Sequence, residues 1–339
     1  LLDEVRADAI ARAATEVAEG QWDDQFVLDI YQTGSGTSTN MNANEVIAHR
    51  ATELLEDAGV TVHPNDHVNM AQSSNDVIPT AMHVSARIGL EREVIPALTA
   101  LADALAEKGE EFDGIIKSGR THLMDATPVR LGQEFEGYAH QVRRGIARIQ
   151  AASEELSELA LGGTATGTGI NTHPKFARKT IDRISDSEEL AFTEAENHFE
   201  AQGAKDAFVN AHGALNTVAV SLMKIADDVR WLGSGPTSGI HEISLPAVQP
   251  GSSIMPGKVN PVMSEALMMA AARVMGNHTT ITIGGSRGNF ELNVMMPVMA
   301  HAFLESVTLI SKAATAFRDR CVVGIQVNED RARDLLERN

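Results

Sequence analysis

The chain has 339 residues, 43% of them hydrophobic, and carries a net charge of −18 from 46 acids against 28 bases. That balance excludes a nucleic-acid binder, whose phosphates demand a basic face. No apolar run approaches the roughly 20 residues of a membrane span. Only eight of the bases are lysine, and an acidic, lysine-poor surface suits solution in high salt, where self-repulsion is screened; a salt-loving source is one expectation, an ordinary acidic cytoplasmic protein the other. Asp3 and Glu4 stand where a leader peptide would be basic, so no signal peptide is expected. The mid-helix start at Leu1 reads as a fragment or as the ordered part of a longer chain.

Residues 1–30 read as a helix followed by a connection at Gly20. A polar block follows, Gln32 to Asn42. It lacks the third glycine of a dinucleotide loop, and its hydroxyls and amides either orient a polar ligand or cap a helix starting near Asn42. In His63-Pro64-Asn65-Asp66-His67 two histidines lie four apart. Pro64 breaks the helical face and no glutamate follows His63, so a helix-capping turn is favoured over a metal pair. Gln72-Ser73-Ser74-Asn75-Asp76, with Pro79 close behind, has helix-start chemistry, and a helix start also favours anions.

Long helices are expected from about residue 91. Ile95, Leu98, Leu101 and Leu105 form one apolar stripe; Leu131, Phe135, Tyr138, Val142, Ile146 and Ile149 a second; Leu215, Val218, Leu222, Ile225 and Val229 a third, closed by Gly233 and Pro236. Residues 262–282 and 298–317 are two more helices, and convincing strands are scarce. Residues 182–200 are acidic and read as a solvated segment. The pattern predicts a mostly α protein built on a bundle of long helices, whose apolar faces favour oligomerisation. Cys321, the single cysteine, sits beside Val322 and Val323 and reads as a buried structural thiol.

Several loops carry chemistry. Gly119 to Pro128 holds His122 among Thr, Arg and Asp, a setting for acid–base work or for a satisfied core histidine. Gly162 to Gly169 and Gly284 to Asn289 are flexible polar turns. Gly251 to Pro261 combines Ser252, Ser253, Lys258 and Asn260 with turn-forming glycine and proline. Five residues separate Gly251 from Gly257 and Val259 follows Lys258, so it is not a phosphate loop. Hydroxyl, ammonium and amide together can hold a small carboxylate and move a proton beside it.

Taken in order, the blocks at 34–42, 72–76, 119–128, 162–171 and 251–261 resemble the fumarase/aspartase superfamily over nearly the whole chain. Its class II fumarase branch is the better match. Ser35, His122, Gly257 and His63 agree with fumarases, while Ser38-Thr39 and Thr279-Thr280 lean toward aspartases. The resemblance implies a helical three-domain fold: an N-terminal domain over 1–71, a central long-helix bundle over 72–329, and the start of a small C-terminal domain over 330–339. It implies a homotetramer with active sites shared by three subunits. The implied reaction is hydration of fumarate to L-malate without metal or organic cofactor.

By the same resemblance, Ser252 is the catalytic base. His122 works with a bound water on the opposite side, and Glu265 is its carboxylate partner. Lys258 and Asn260 bind a substrate carboxylate, and Ser35, Thr37, Asn40, Ser73, Ser74, Asn75, Thr121 and Ser253 complete the pocket. His63, Asn65 and Asp66 match a second, non-catalytic dicarboxylate site, although Val60 replaces a basic residue often found there. Met124 and the pair Ile240-His241 also depart from the usual residues. Two rival readings stand: an aspartate ammonia-lyase, against which His122 discriminates, and a crystallin-like structural relative, which should have lost Ser252, His122 and Lys258.

Overall fold

The computed structural model describes residues 2–251, 254–255 and 257–339. In chain order the helices are α1 (Glu4–Ala18), α2 (Thr37–Leu54), α3 (Ser74–Gly89), α4 (Ile95–Glu111), α5 (Leu131–Glu155), α6 (Phe176–Glu188), α7 (His198–Gly203), α8 (Asp206–Leu232), α9 (Val262–Gly285), α10 (Met296–Arg320) and α11 (Glu329–Glu337). The strands are β1 (Ile116–Thr121), β2 (Met124–Arg130), β3 (Glu158–Leu159), β4 (Thr193–Glu194), β5 (Ile243–Ser244), β6 (Gly288–Asn289), β7 (Leu292–Asn293) and β8 (Gln326–Val327). The fold is mostly α, as the periodicity predicts. Contacts divide it into two compact units: Leu1–Arg87, Glu155–Val209 and Thr280–Ala302 form the first; Ile88–Glu154, Asn210–Thr279 and Phe303–Asn339 form the second.

In the first unit, α1 begins at Asp3, whose carboxylate accepts the Arg6 amide at 3.0 Å and satisfies one orphan donor of the helix start. Ala9, Ala13, Ala48 and Ala51 are buried between α1 and α2 with Val62; small side chains let the two backbones approach. A second core gathers Leu159, Leu161, Ile181 and Phe192. Here the structure corrects the sequence reading. The acidic stretch 182–200 is not wholly a solvated segment: α6, β4 and α7 occupy much of it, and Phe192 is buried. Its acids lie on the outward faces of elements whose apolar positions are too few to show a period. Likewise α2 starts at Thr37, not near Asn42. Gly36 turns the chain with φ +72°, and the Gln32 side chain accepts the Thr39 amide at 3.0 Å, so the cap comes from upstream.

In the second unit the expected stripes are buried. Leu98, Leu101 and Leu105 of α4, Leu131, Phe135, Val142 and Ile149 of α5, and Leu215, Val218, Leu222, Ile225 and Val229 of α8 are almost wholly removed from water. Each such side chain contributes about 1.5–3 kcal/mol of hydrophobic stabilisation. A Cβ on Gly132 would lie 2.3 Å from the Gly109 carbonyl oxygen, so glycine alone permits that approach of α4 and α5. Tyr138 of α5 donates to Asp228 of α8 at 3.0 Å. Strands β1 and β2 form an antiparallel hairpin whose register shifts between Ser118 and Arg120. The sequence reading missed this hairpin.

Candidate active site

Within the first unit, four of the expected pocket residues form one hydrogen-bonded chain. The Ser35 and Thr37 hydroxyls lie 2.7 Å apart, Thr37 Oγ1 lies 2.7 Å from Ser74 Oγ, and Ser74 Oγ donates to Asn75 Oδ1 at 3.5 Å. Asn75 Nδ2 in turn donates to the Ala165 carbonyl at 2.8 Å. Three conditions bring these residues together. Met296 N donates to the Gly34 carbonyl. Gly36 takes the left-handed backbone before α2. The start of α3 is capped, with the Ser73 amide donating to Asp76 Oδ1 at 3.1 Å and the Asn75 amide to Ser73 Oγ at 3.2 Å. Asn40 stands beside this chain and donates to Asn69 Oδ1 at 3.3 Å. Asp76, absent from the expected set, is fully buried. Its Oδ2 accepts the Gly162 and Thr164 amides at 2.9 and 3.0 Å, which moors the glycine-rich turn to α3.

Thr121 and His122 belong to the second unit. Thr121 ends β1, and His122 and Leu123 make the two-residue turn into β2 with φ +56° and +61°. Left-handed backbone costs a non-glycine residue about 1–2 kcal/mol, and such strain clusters at functional sites. His122 is exposed, so the core-histidine reading fails. Leu123 and Met124 beside it are 62% and 70% exposed. Among the described residues, no hydrogen bond or ion pair joins His122 to Glu265, which sits exposed in the first turn of α9.

Ser252 and Ser253 lie outside the described residues. On either side of them, Gly251 packs so tightly that a Cβ would fall 1.6 Å from the Lys258 carbonyl oxygen. Lys258 Nζ donates to Asn260 Oδ1 at 2.8 Å. The two expected carboxylate ligands are thus adjacent, one a cation and the other an amide.

At 63–67 the chain makes a π-helical turn, Pro64–Val68. His63 Nδ1 accepts the Asn65 and Asp66 amides, both at 3.2 Å, and the His63 amide donates to His67 Nδ1 at 2.8 Å. The capping role favoured by the sequence is the observed one. Among the described residues, no group of three or more His, Cys, Asp or Glu side chains is arranged to hold a metal ion.

A buried ionic network beneath the hairpin escaped sequence reasoning. Glu242 is fully buried and receives both terminal nitrogens of Arg120, at 2.9 and 2.8 Å. Lys117 Nζ, also buried, lies 3.2 Å from Glu242 and 2.8 Å from Glu134. The Glu242 carboxylate, bonded to the guanidinium, raises Arg120 above its ordinary value. A cavity of about 400 Å³ lies elsewhere in the first unit, lined by Ile30, Gly36, Ile78, Met82 and Met296 among others. Its walls are mainly apolar, unsuited to a dicarboxylate, and none of the expected site residues lines it.

A family model described as lyase matches residues 1–276. The chain is 55% identical over 342 residues to the class II fumarate hydratase 2 of Bradyrhizobium diazoefficiens, covering 100% of this chain and 72% of that one. It is 56% identical to the mitochondrial fumarate hydratase of Rhizopus oryzae, covering 99% and 68% respectively. Among solved structures, a recombinant class II fumarase from Schistosoma mansoni superposes with a TM-score of 0.96 at 41% identity, over 98% of this chain and 74% of that one.

Proposed function

We infer that this chain, which belongs to the class II fumarase branch of the lyase family matched above, catalyses the reversible hydration of fumarate to L-malate. The observation that carries this reading is the identity of more than half of all residues, along the whole chain, to enzymes named fumarate hydratase. The geometry agrees with it. The hydroxyl–amide chain through Ser35, Thr37, Ser74 and Asn75 offers neutral donors; Asn40, Ser73 and Thr121 are added to the set by the resemblance alone. Lys258 and Asn260 offer a cation and an amide for a carboxylate.

In the dehydration direction, the proton beside a malate carboxylate is taken by Ser252, acting as an alkoxide. The electron pair of the broken C–H bond moves into that carboxylate, giving an aci-carboxylate held by fixed donors such as Lys258, Asn260 and Ser253. The C–O bond then breaks on the opposite side and the hydroxyl leaves as water, protonated through His122 and a bound water, with Glu265 the carboxylate partner of His122. No step is routed through a metal or organic cofactor.

A homotetramer with sites shared by three subunits belongs to the same proposal. It is supported by the exposed apolar surface of Leu123, Met124, Met269 and Phe290, which a second subunit would cover. A carboxylate for His122 supplied by another subunit accounts for the lack of a His122–Glu265 pair within one chain. The three-domain division at 1–71, 72–329 and 330–339 and a second dicarboxylate site at His63, Asn65 and Asp66 rest on the resemblance. Tolerance of high salt rests on the acidic, lysine-poor composition, and an ordinary acidic cytoplasmic protein is the alternative. No helix among the described residues is long and apolar enough to cross a membrane. Ser252→Ala and His122→Asn test the roles directly. Each is expected to lower kcat by about 10²-fold or more while leaving the oligomer intact. Near-normal turnover in either variant removes that residue from the mechanism.

A further inference from the structure

We propose that Glu242 is a positioning residue for His122: through Arg120 it fixes the stem of the hairpin whose tip presents the imidazole. The inference rests on the reading of His122 as part of the acid–base machinery.

Three observations carry it. Glu242 is itself immobilised. Its amide donates to the Leu232 carbonyl at the end of α8 at 3.0 Å, its carbonyl accepts the Asn328 amide at 2.9 Å, and Ile243 and Ser244, which follow it, pair with β8. Its carboxylate is fully engaged. Arg120 fills both oxygens in a fork, and Lys117 adds a third cationic contact. A planar guanidinium held by two parallel bonds has one orientation, unlike an ammonium on a flexible stem. Finally, Arg120 stands two residues before His122 on β1. Beyond the ladder pairing of Thr121 with Met124, among the described residues no side-chain contact of the tip within its own chain compares with that fork. Among the described residues, no hydrogen bond or ion pair engages the His122 side chain, and His122, Leu123 and Met124 are all exposed.

The strand geometry fits this purpose. Lys117 and Arg120 are an odd number of residues apart, and regular strand alternation would send them to opposite faces. Both reach Glu242 nonetheless, and the slip in hairpin register falls between them, at Ser118/Arg120. Such irregularities re-aim side chains next to functional sites. Across the hairpin, Asp125 faces Arg120 at 4.0 Å. Asn339 donates to Ser118 Oγ and to the Ala126 carbonyl, both at 2.9 Å. These contacts brace the stem below Arg120, the Thr121–Met124 pair closes the ladder, and the Arg120–Glu242 fork ties that end of the hairpin to α8 and β5.

The test uses the full-length protein and two variants, Glu242→Gln and Arg120→Lys, the second of which keeps the buried charge and loses the fork. Amide hydrogen exchange is measured by mass spectrometry on the 119–127 segment and on α5 and α8, and kcat and KM are measured separately. Both variants are expected to exchange about tenfold faster at the hairpin tip, with α5 and α8 unchanged. The kcat is expected to fall about tenfold or more while KM stays within about threefold, since a displacement near 1 Å costs rate more than binding. Unchanged tip exchange, or equal losses in kcat and affinity, overturns the proposal. So does global unfolding of both variants, which would make the network a structural staple. If the unaltered protein proves inactive on malate, the hydratase reading fails on its own, and the exchange measurement still decides whether Glu242 holds the tip.

Discussion

At Cys321 and His212 burial sets the chemistry. Cys321 is almost wholly buried, and burial pushes its thiol up to about 12, against a smaller opposing effect of the neighbouring Ser264. The native protein is therefore expected to resist iodoacetamide at pH 8 and to react within minutes once unfolded; stoichiometric labelling of the native state would contradict this. His212 is fully buried, 3.2 Å from His278 through their Nδ1 atoms and 2.9 Å from Ser306 Oγ. Burial, reinforced by His278, pushes it down to about 3. Between about pH 6.5 and 3 the unfolded chain binds this proton and the folded chain does not, so stability is present above pH 6.5 and is lost on acidification. Linkage puts the loss at about 2 kcal/mol between pH 7 and 5. His212→Gln should shrink the pH dependence of the urea midpoint by that amount; an unchanged dependence removes His212 as its source. Single residues inside contiguous motifs, such as Lys258 with Asn260, were legible in the sequence. The pairing of Arg120 with Glu242 was not, because the two are 122 positions apart and nothing local marks them as partners.

Elements with many apolar positions at a regular period were read correctly, which is why α4, α5 and α8 match their expected stripes. Short elements without that signal, the β1–β2 hairpin above all, were missed. Strand β1, Ile-Lys-Ser-Gly-Arg-Thr, buries a lysine and a serine and so inverts the usual alternation. Its turn is His-Leu where a two-residue hairpin normally has Asn-Gly or Asp-Gly. The polar block at 34–42 was noticed for its chemistry, yet its first glycine has a structural task. A Cβ on Gly34 would fall 1.8 Å from the Val294 carbonyl oxygen, and the Gly34 carbonyl accepts the Met296 amide at 3.0 Å. Gly34→Ala must displace the backbone around 294–296 or the lead into α2. A loss of about 1–3 kcal/mol is expected, read as a lower urea midpoint, together with weaker substrate binding because Ser35 and Thr37 move with the loop. An unaltered midpoint would show that the close approach is dispensable.

Over the whole molecule, a net charge of −18 makes compact and associated states sensitive to salt, since screening relieves self-repulsion. The candidate residues are divided between units: hydroxyls and amides at 35–40 and 73–75 in the first, His122, Lys258, Asn260 and Glu265 in the second. A motif reveals which residues belong to a chemistry but not where each stands in space, so the candidate residues could be named from the sequence without the pocket being built from it. The most direct measurement is ultraviolet detection of fumarate from the full-length protein, in high and in low salt, with L-malate and L-aspartate in separate cuvettes. Fumarate from L-malate alone is the predicted result. Fumarate from L-aspartate alone, or from neither substrate with a folded protein, would contradict the hydratase reading.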